Sequence, residues 1–414
     1  MTEPEPQIPA LTVVTTESSD PGSLIPLLDE DAPLLWMRRG FGVAGTGCAL
    51  RLEFSGPTRL ADAAETWRRI AAAATVADPL GIPGTGLIAL GAFTFRADSR
   101  LTSVLIVPAV IVGRADGRSW VTRITVEGET PPTAGPRHPL GDGYRVQFSP
   151  GALGADGYRE AVTSAVEHIR GGDLSKVVIA RDLTGRLPPG ADLRVAVGRL
   201  ALGYPDCWTF AVDGFVGSSP ETLVGVRDGA VTARVLAGSS ARGIDAASDE
   251  SAAIALATSA KDLDEHQYAV QSVLASLRPH SPTVVASELP FTLKLPNLWH
   301  LASDVEGDVT DGSTALDLVA ALHPTAAVAG TPTRAALSLI AALEPFDRGR
   351  YAGPVGWVGA NGDGEWAVAV RSAQVLPDGQ VTAYAGAGIV AESVPERELV
   401  ETRLKFKPVV EAFG

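Results

Sequence analysis

Cysteine is almost absent: Cys48 and Cys207 are the only two among 414 residues, far apart and in no metal-like spacing. That excludes a disulfide framework and a thiolate zinc site, and it fits a reducing compartment. Long apolar runs are missing as well, since nothing approaches the roughly 18 uninterrupted apolar residues of a membrane span. The N-terminal stretch MTEPEPQIPA is acidic and proline-rich and has no apolar signal region. A cytoplasmic protein outside the membrane is expected. Positive charge is also scarce, with 34 Lys and Arg against 48 Asp and Glu and a net charge of −14. The acidic residues are scattered rather than gathered in a tail, which disfavours nucleic acid as the main ligand. The six histidines form no HExxH pair, and no GxSxG elbow occurs. GVAGTG, GIPGTG and AGAGIV do not fit GxGxxG between a strand and a helix, and GxxxxGK[ST] is absent. Zinc hydrolase, serine hydrolase and nucleotide-cofactor readings therefore fall away.

What the chain does have is alternation. Residues 1–22, ending near TESSDPGS, have the composition of a flexible lead-in. Over residues 23–150, runs such as GLIALGAFTF and SVLIVPAVIV alternate with turn residues, which predicts a sheet-rich first half. EGETPPTAGPRHPLGDG reads as a surface connection between halves. Tyr158, Val162, Val166 and Ile169 recur at helical intervals before Gly171 and Gly172. LSKVVIAR follows, a strand buried on both faces with the Lys176 ammonium at its mouth. A long helix is predicted from about residue 250 to 277, and another at GTPTRAALSLIAALE, capped by Thr331 with Pro332 in its first turn. A meander of strands with tight turns at ANGDG and PDG follows; such strands are antiparallel, which argues against a doubly wound nucleotide fold.

Charged groups beside this scaffold are the candidates for chemistry. Glu221 follows a Ser-Ser-Pro turn, and a solvated turn carboxylate explains it equally well. Glu265 lies four residues after Lys261, as in a surface ion pair. Glu398, Glu401 and Lys405 share one helical face, as a salt-bridged helix also would. In EWAVAVRSA, alternation places Arg371 on the face of Ala367 and Ala369, where small residues leave room for a ligand carboxylate. Gly238 and Ser239 in LAGSSARG, and Gly386 and Gly388 in AYAGAGIV, permit close backbone approach or form tight turns.

Taken together, DLSKVVIAR, GSSPETL, LAGSSARG, KDLDEH, LWHL, LHPTAAVAGTP, EPFDRGRYAGPVGW, GDGEWAVAVRSA, AYAGAGIV and ETRLKF resemble, in order, the motifs of the chorismate-binding enzymes over residues 156–408. The resemblance implies an α+β fold like that of anthranilate synthase component I. Two sheet-rich halves with antiparallel sheets and flanking helices enclose a cleft, all within one domain over residues 23–414. It implies chorismate as substrate and Mg2+ as cofactor. By similarity Lys176 is the general base toward water attacking ring carbon C2, and Glu221 is the general acid for the departing C4 hydroxyl. A lysine accepts a proton only when uncharged, which an apolar strand mouth favours, whereas Glu221 must be held protonated. Glu265, Glu398 and Glu401 look like the metal site, and Arg371 and Lys405 receive the second substrate carboxylate. Gly238, Ser239, His300, Ala327, Tyr351 and Gly386 match further substrate contacts.

Within the family, Ala237 stands where aminodeoxychorismate synthases of the usual type carry a nucleophilic lysine, so covalent amination there is not available; with ammonia not a substrate, no amidotransferase subunit is expected. Ala327 occupies a place where the lyase branches generally have threonine. Two departures stand out: Ala326 replaces the usual proline of HPTPA, and Ser239 replaces a frequent threonine. The implied activity is isochorismate synthase, feeding menaquinone or siderophore synthesis. The alternatives are a salicylate synthase, which would also eliminate pyruvate, and a catalytically silent chorismate-binding protein.

Overall fold

The computed structural model describes residues 9–133, 135 and 137–414. Within them the chain builds two large sheets. The first runs from Ser149–Pro150 through Lys176–Arg186, Gln380–Ile389, Ser372–Val375, Phe215–Ser219 and Trp208–Val212 to Leu34–Arg38 and on through N-terminal strands to Thr75–Ala77. The second runs from Val285–Ala286 through Leu298–Asp308, Ala230–Ala241, Thr222–Arg227, Gly364–Val368 and Pro354–Gly359 to three N-terminal strands. Each sheet thus interleaves early and late segments, and nearly all pairing is antiparallel, as the tight turns require.

Continuous apolar runs arise because the first sheet is covered on both faces. Leu34 and Trp36 join the central core, while Leu35 and Met37 point the other way. There they meet Leu193, Ala196, Val197 and Leu200 of one helix and Phe406, Val409 and Phe413 of the C-terminal helix Pro395–Phe413. Helices Arg59–Ala73, Ala260–Leu277 and Ala315–Leu322 cover the second sheet. Trp36 Nε1 donates to Glu365 Oε2 at 3.1 Å, joining the two sheets through residues 329 apart in sequence.

Several expectations are corrected. The lead-in is not featureless: Leu11–Glu17 is a strand with Leu11, Val13 and Thr15 buried, paired with the strand ending at Val126. The rest of that expectation over residues 1–8 lies outside the described residues, as do positions 134 and 136 of the connection. The helix predicted to span 250 to 277 is two, Ala246–Thr258 and Ala260–Leu277. Ser259 breaks it at ψ 111°, and its hydroxyl caps the second helix by accepting from Asp262 N. Thr331 is not a cap; it pairs with Lys176, and Pro332 takes the cap position of Thr333–Leu343. EWAVAVRSA is not one strand, because it leaves the second sheet after Val368 and enters the first at Ser372. Arg371 lies between, at φ 55°, so strand alternation does not govern its direction. Helix Arg59–Ala73 was not anticipated, although Leu60, Ala63, Ala64, Trp67 and Ile70 form its buried stripe.

Candidate active site

Two neighbouring crossovers between the sheets make the floor of the site. Phe215–Ser219 passes to Thr222–Arg227 through Pro220 and Glu221, and Gly364–Val368 passes to Ser372–Val375 through Arg371. They are laced together: Ser219 Oγ donates to Val368 O at 2.6 Å and Val368 N donates to Glu221 O at 3.1 Å. Ser218 N donates to Arg371 O at 3.1 Å. A buried carboxyl and a buried guanidinium are therefore fixed by backbone bonds where regular pairing stops.

Above this floor is a cavity of about 800 Å³. Every residue to which the resemblance gives a part in the site lines it: Lys176, Glu221, Gly238, Ser239, Glu265, His300, Ala327, Tyr351, Arg371, Gly386, Glu398, Glu401 and Lys405. Lys261, Asp262, Tyr384 and Arg397 line it too and had not been assigned a part in it. Tyr384 is stacked on Tyr351 with centroids 5.3 Å apart, a long-range pairing that no local pattern encodes.

Burial pushes the Glu221 carboxyl up to about 8, against the pull of Lys176, Lys405 and Arg371, so it keeps its proton at neutral pH. Lys176 is buried, yet the apolar mouth expected around it is not what it meets: Nζ lies 2.8 Å from Glu265 Oε1. Burial acts to raise the Glu265 carboxyl, but the charge and hydrogen bond of Lys176, with Lys261 and Lys405, bring it below its ordinary value. Gly388 makes room for this pair, since a Cβ there would come within 2.9 Å of Glu265 Oε1 and 3.0 Å of Lys176 Cε. Helix Ala260–Leu277 is held in place beside Glu265 by His266, whose ring bonds Ala237 O at 3.2 Å and Ser303 Oγ at 2.9 Å.

On the C-terminal helix, Lys405 Nζ lies 2.6 Å from Glu401 Oε1 and donates to Gly386 O at 2.9 Å. Ser239 Oγ donates to the same Glu401 oxygen at 3.0 Å. Burial, reinforced by the Glu401 charge, pushes Glu398 up to about 7. This helix is tied to the Lys176 strand by Arg181, whose Nε donates to Thr402 Oγ1 at 2.8 Å and whose guanidinium lies over Phe406.

His300 is kept neutral by burial and by the charges of Arg371 and Lys405. Its Nδ1 bonds Gly238 O at 3.2 Å and its Nε2 bonds Arg371 Nη2 at 3.1 Å, which requires Nδ1–H to donate and Nε2 to accept. Gly238 sits at φ 82° in a β-bulge that aims this carbonyl. Arg371 Nη1 is buried with no hydrogen-bond partner among the described residues. Arg371 lines the cavity, and a buried guanidinium with a donor still unpaired suits a ligand carboxylate.

The chain matches the family model described as "Chorismate binding enzyme" over residues 145–414, and it belongs to that family. It is 41% identical over 269 residues to the isochorismate synthase DhbC of Bacillus subtilis, covering 62% of this chain and 67% of the relative. It is 32% identical over 417 residues to a salicylate biosynthesis isochorismate synthase of Pseudomonas aeruginosa, covering 93% and 86%. Among solved structures, a putative 2,3-dihydroxybenzoate-specific isochorismate synthase, DhbC from Bacillus anthracis, superposes with a TM-score of 0.78 at 31% identity, covering 94% and 98%. Among the described residues no helix is long and apolar enough to cross a membrane.

Proposed function

We propose that the protein is an isochorismate synthase, which adds water at ring carbon C2 of chorismate and expels the C4 hydroxyl. The observation that carries this reading is a carboxyl pushed up to about 8, Glu221, in the same cavity as the Lys176 amine. An acid that holds its proton at neutral pH can pass it to a leaving hydroxyl; the Lys176 amine can take one from the attacking water only when uncharged, which requires Glu265 to be drawn away from it, as a bound cation would draw it. Arg371 Nη1, aligned by His300, receives a substrate carboxylate, with Lys405 beside it. Ala237 offers no amine for covalent amination, and with water rather than ammonia as the attacking group no amidotransferase is required.

Among the described residues no three acidic, histidine or cysteine side chains converge closely enough to hold a metal ion alone. The donor set nevertheless fits Mg2+, which keeps water and takes one or two carboxylates together with ligand oxygens. Glu398 and Glu401 face each other at a cost that a cation would relieve. Glu265 and Glu401 would hold the ion, supported by Glu398, and the ion when bound would supply positive charge to the other carboxylate of the dianionic substrate. The product would feed menaquinone or siderophore synthesis. Incubation with chorismate and Mg2+ near neutral pH, followed by chromatography, should yield isochorismate; salicylate or pyruvate as the main product refutes the reading.

A further inference from the structure

Glu344 and Arg348 line no part of the cavity, yet they hold the backbone of two of its walls. Their side chains are 2% and 1% exposed, and they form a two-pronged ion pair: Arg348 Nη2 to Glu344 Oε1 at 2.6 Å and Nε to Oε2 at 2.8 Å. The Lys176–Arg186 strand explains their placement. One of its edges is paired from Val177 to Arg186 with Gln380–Ile389. The other has short strand partners only at its ends, Gly330–Thr331 beside residues 176–177 and Ser149–Pro150 beside 183–184. Between them Val178 O accepts from Arg348 Nη2 at 2.7 Å, and Ala180 N donates to Glu344 Oε1 at 2.7 Å. The ion pair takes the place of the missing strand, satisfying buried backbone groups that nothing else in the gap would meet. Arg348 also donates from Nη1 to Val328 O at 3.0 Å, and its guanidinium lies 6.0 Å from the Tyr351 ring centroid.

We propose that the Glu344–Arg348 pair is a positioning unit for catalysis. It fixes the distance between the Lys176 strand and the wall formed by Ala327, Val328 and Tyr351, and so the placement of the Lys176 amine against the substrate ring. This rests on the reading of Lys176 as the base. A pair kept only for stability could be exchanged for apolar residues of similar volume. Here the pair contributes directed bonds to two separate chain segments, which a single-headed ammonium cannot reproduce.

The test uses the full chain with Mg2+ and chorismate, comparing wild type, Arg348→Lys and the double variant Glu344→Leu/Arg348→Met. Tm is read from melts of each protein, and product identity, kcat and KM are measured at a temperature well below every Tm. Displacement of a base by about 1 Å costs on the order of 10- to 100-fold in rate. The expected result is kcat lowered by that amount in both variants, with KM within about threefold, because the carboxylate contacts at Arg371 and Lys405 are untouched. Rescue of the fold without rescue of kcat in Arg348→Lys is part of the prediction. Wild-type kcat in either folded variant overturns the proposal, as does a parallel collapse of kcat, KM and Tm in both. Absence of isochorismate from the wild-type reaction would instead sink the underlying activity.

Discussion

Replacing Glu221 by glutamine should stabilise the protein at neutral and alkaline pH while stopping its chemistry. The carboxyl is buried and pushed from 4.5 up to about 8. Below pH 4.5 the folded and unfolded chains both carry the proton, so Glu221 imposes no pH-dependent penalty. Between 4.5 and 8 the unfolded chain releases the proton and the folded chain keeps it, so the wild type loses stability relative to the glutamine variant. Above 8 both states are ionised and the loss levels off. Linkage puts the loss at about 1 kcal/mol at pH 5 and about 4 kcal/mol at pH 8. With unfolding entropy scaled to a chain of 414 residues, each kcal/mol moves Tm by about 1 °C. Calorimetric melts of both proteins at pH 5 and pH 8 should show the Tm gap widening in favour of Glu221→Gln by about 3 °C. Turnover should meanwhile fall by roughly 100- to 10,000-fold. A gap of equal size at both pH values would mean that Glu221 is already ionised in the fold, and the reasoning about its role would fail.

Three further outcomes follow from the same geometry. The wild-type kcat should decline as pH rises through about 8, because the Glu221 proton is lost there; a rate that keeps rising to pH 9.5 contradicts this. Lys176→Ala should lower kcat by roughly 100- to 10,000-fold in steady-state assays. It should also destabilise the fold, since Glu265 loses the partner 2.8 Å away and stays buried; near-normal turnover would remove the base assignment. Glu401→Ala should raise the Mg2+ concentration needed for half-maximal rate by more than about tenfold. An unchanged Mg2+ titration would take Glu401 out of the metal site.

Local features were legible in the sequence to the extent that a period carries them. The Lys176 strand, the helix Ala155–Arg170 and the shared face of Glu398, Glu401 and Lys405 are direct readings of apolar and charged spacing. The strand Leu11–Glu17 also alternates, with Leu11, Val13 and Thr15 inward, but an outer face of Thr12, Val14, Thr16 and Glu17 next to an acidic, proline-rich start mimics a lead-in. Arg371 came to the cavity by a different route than alternation suggests. A positive φ at a sheet crossover turns it inward, and a break in pairing leaves no period. The links that hold the site rigid were the least legible. Glu344 and Arg348 meet Ala180 and Val178 across 164 and 170 residues, and such matches depend on chain topology rather than on neighbouring letters. Ser259 shows a smaller failure: an apolar stretch long enough for one helix was cut by a hydroxyl that caps the next.

The central claim is that solvent water, deprotonated at Lys176, becomes the C2 hydroxyl while the original C4 hydroxyl leaves with the Glu221 proton. Running the reaction in H2(18)O and weighing the isochorismate by mass spectrometry tests this directly. One 18O atom, located in the C2 hydroxyl, is expected. Isochorismate free of label would mean that the hydroxyl migrates within the substrate, and would contradict that claim.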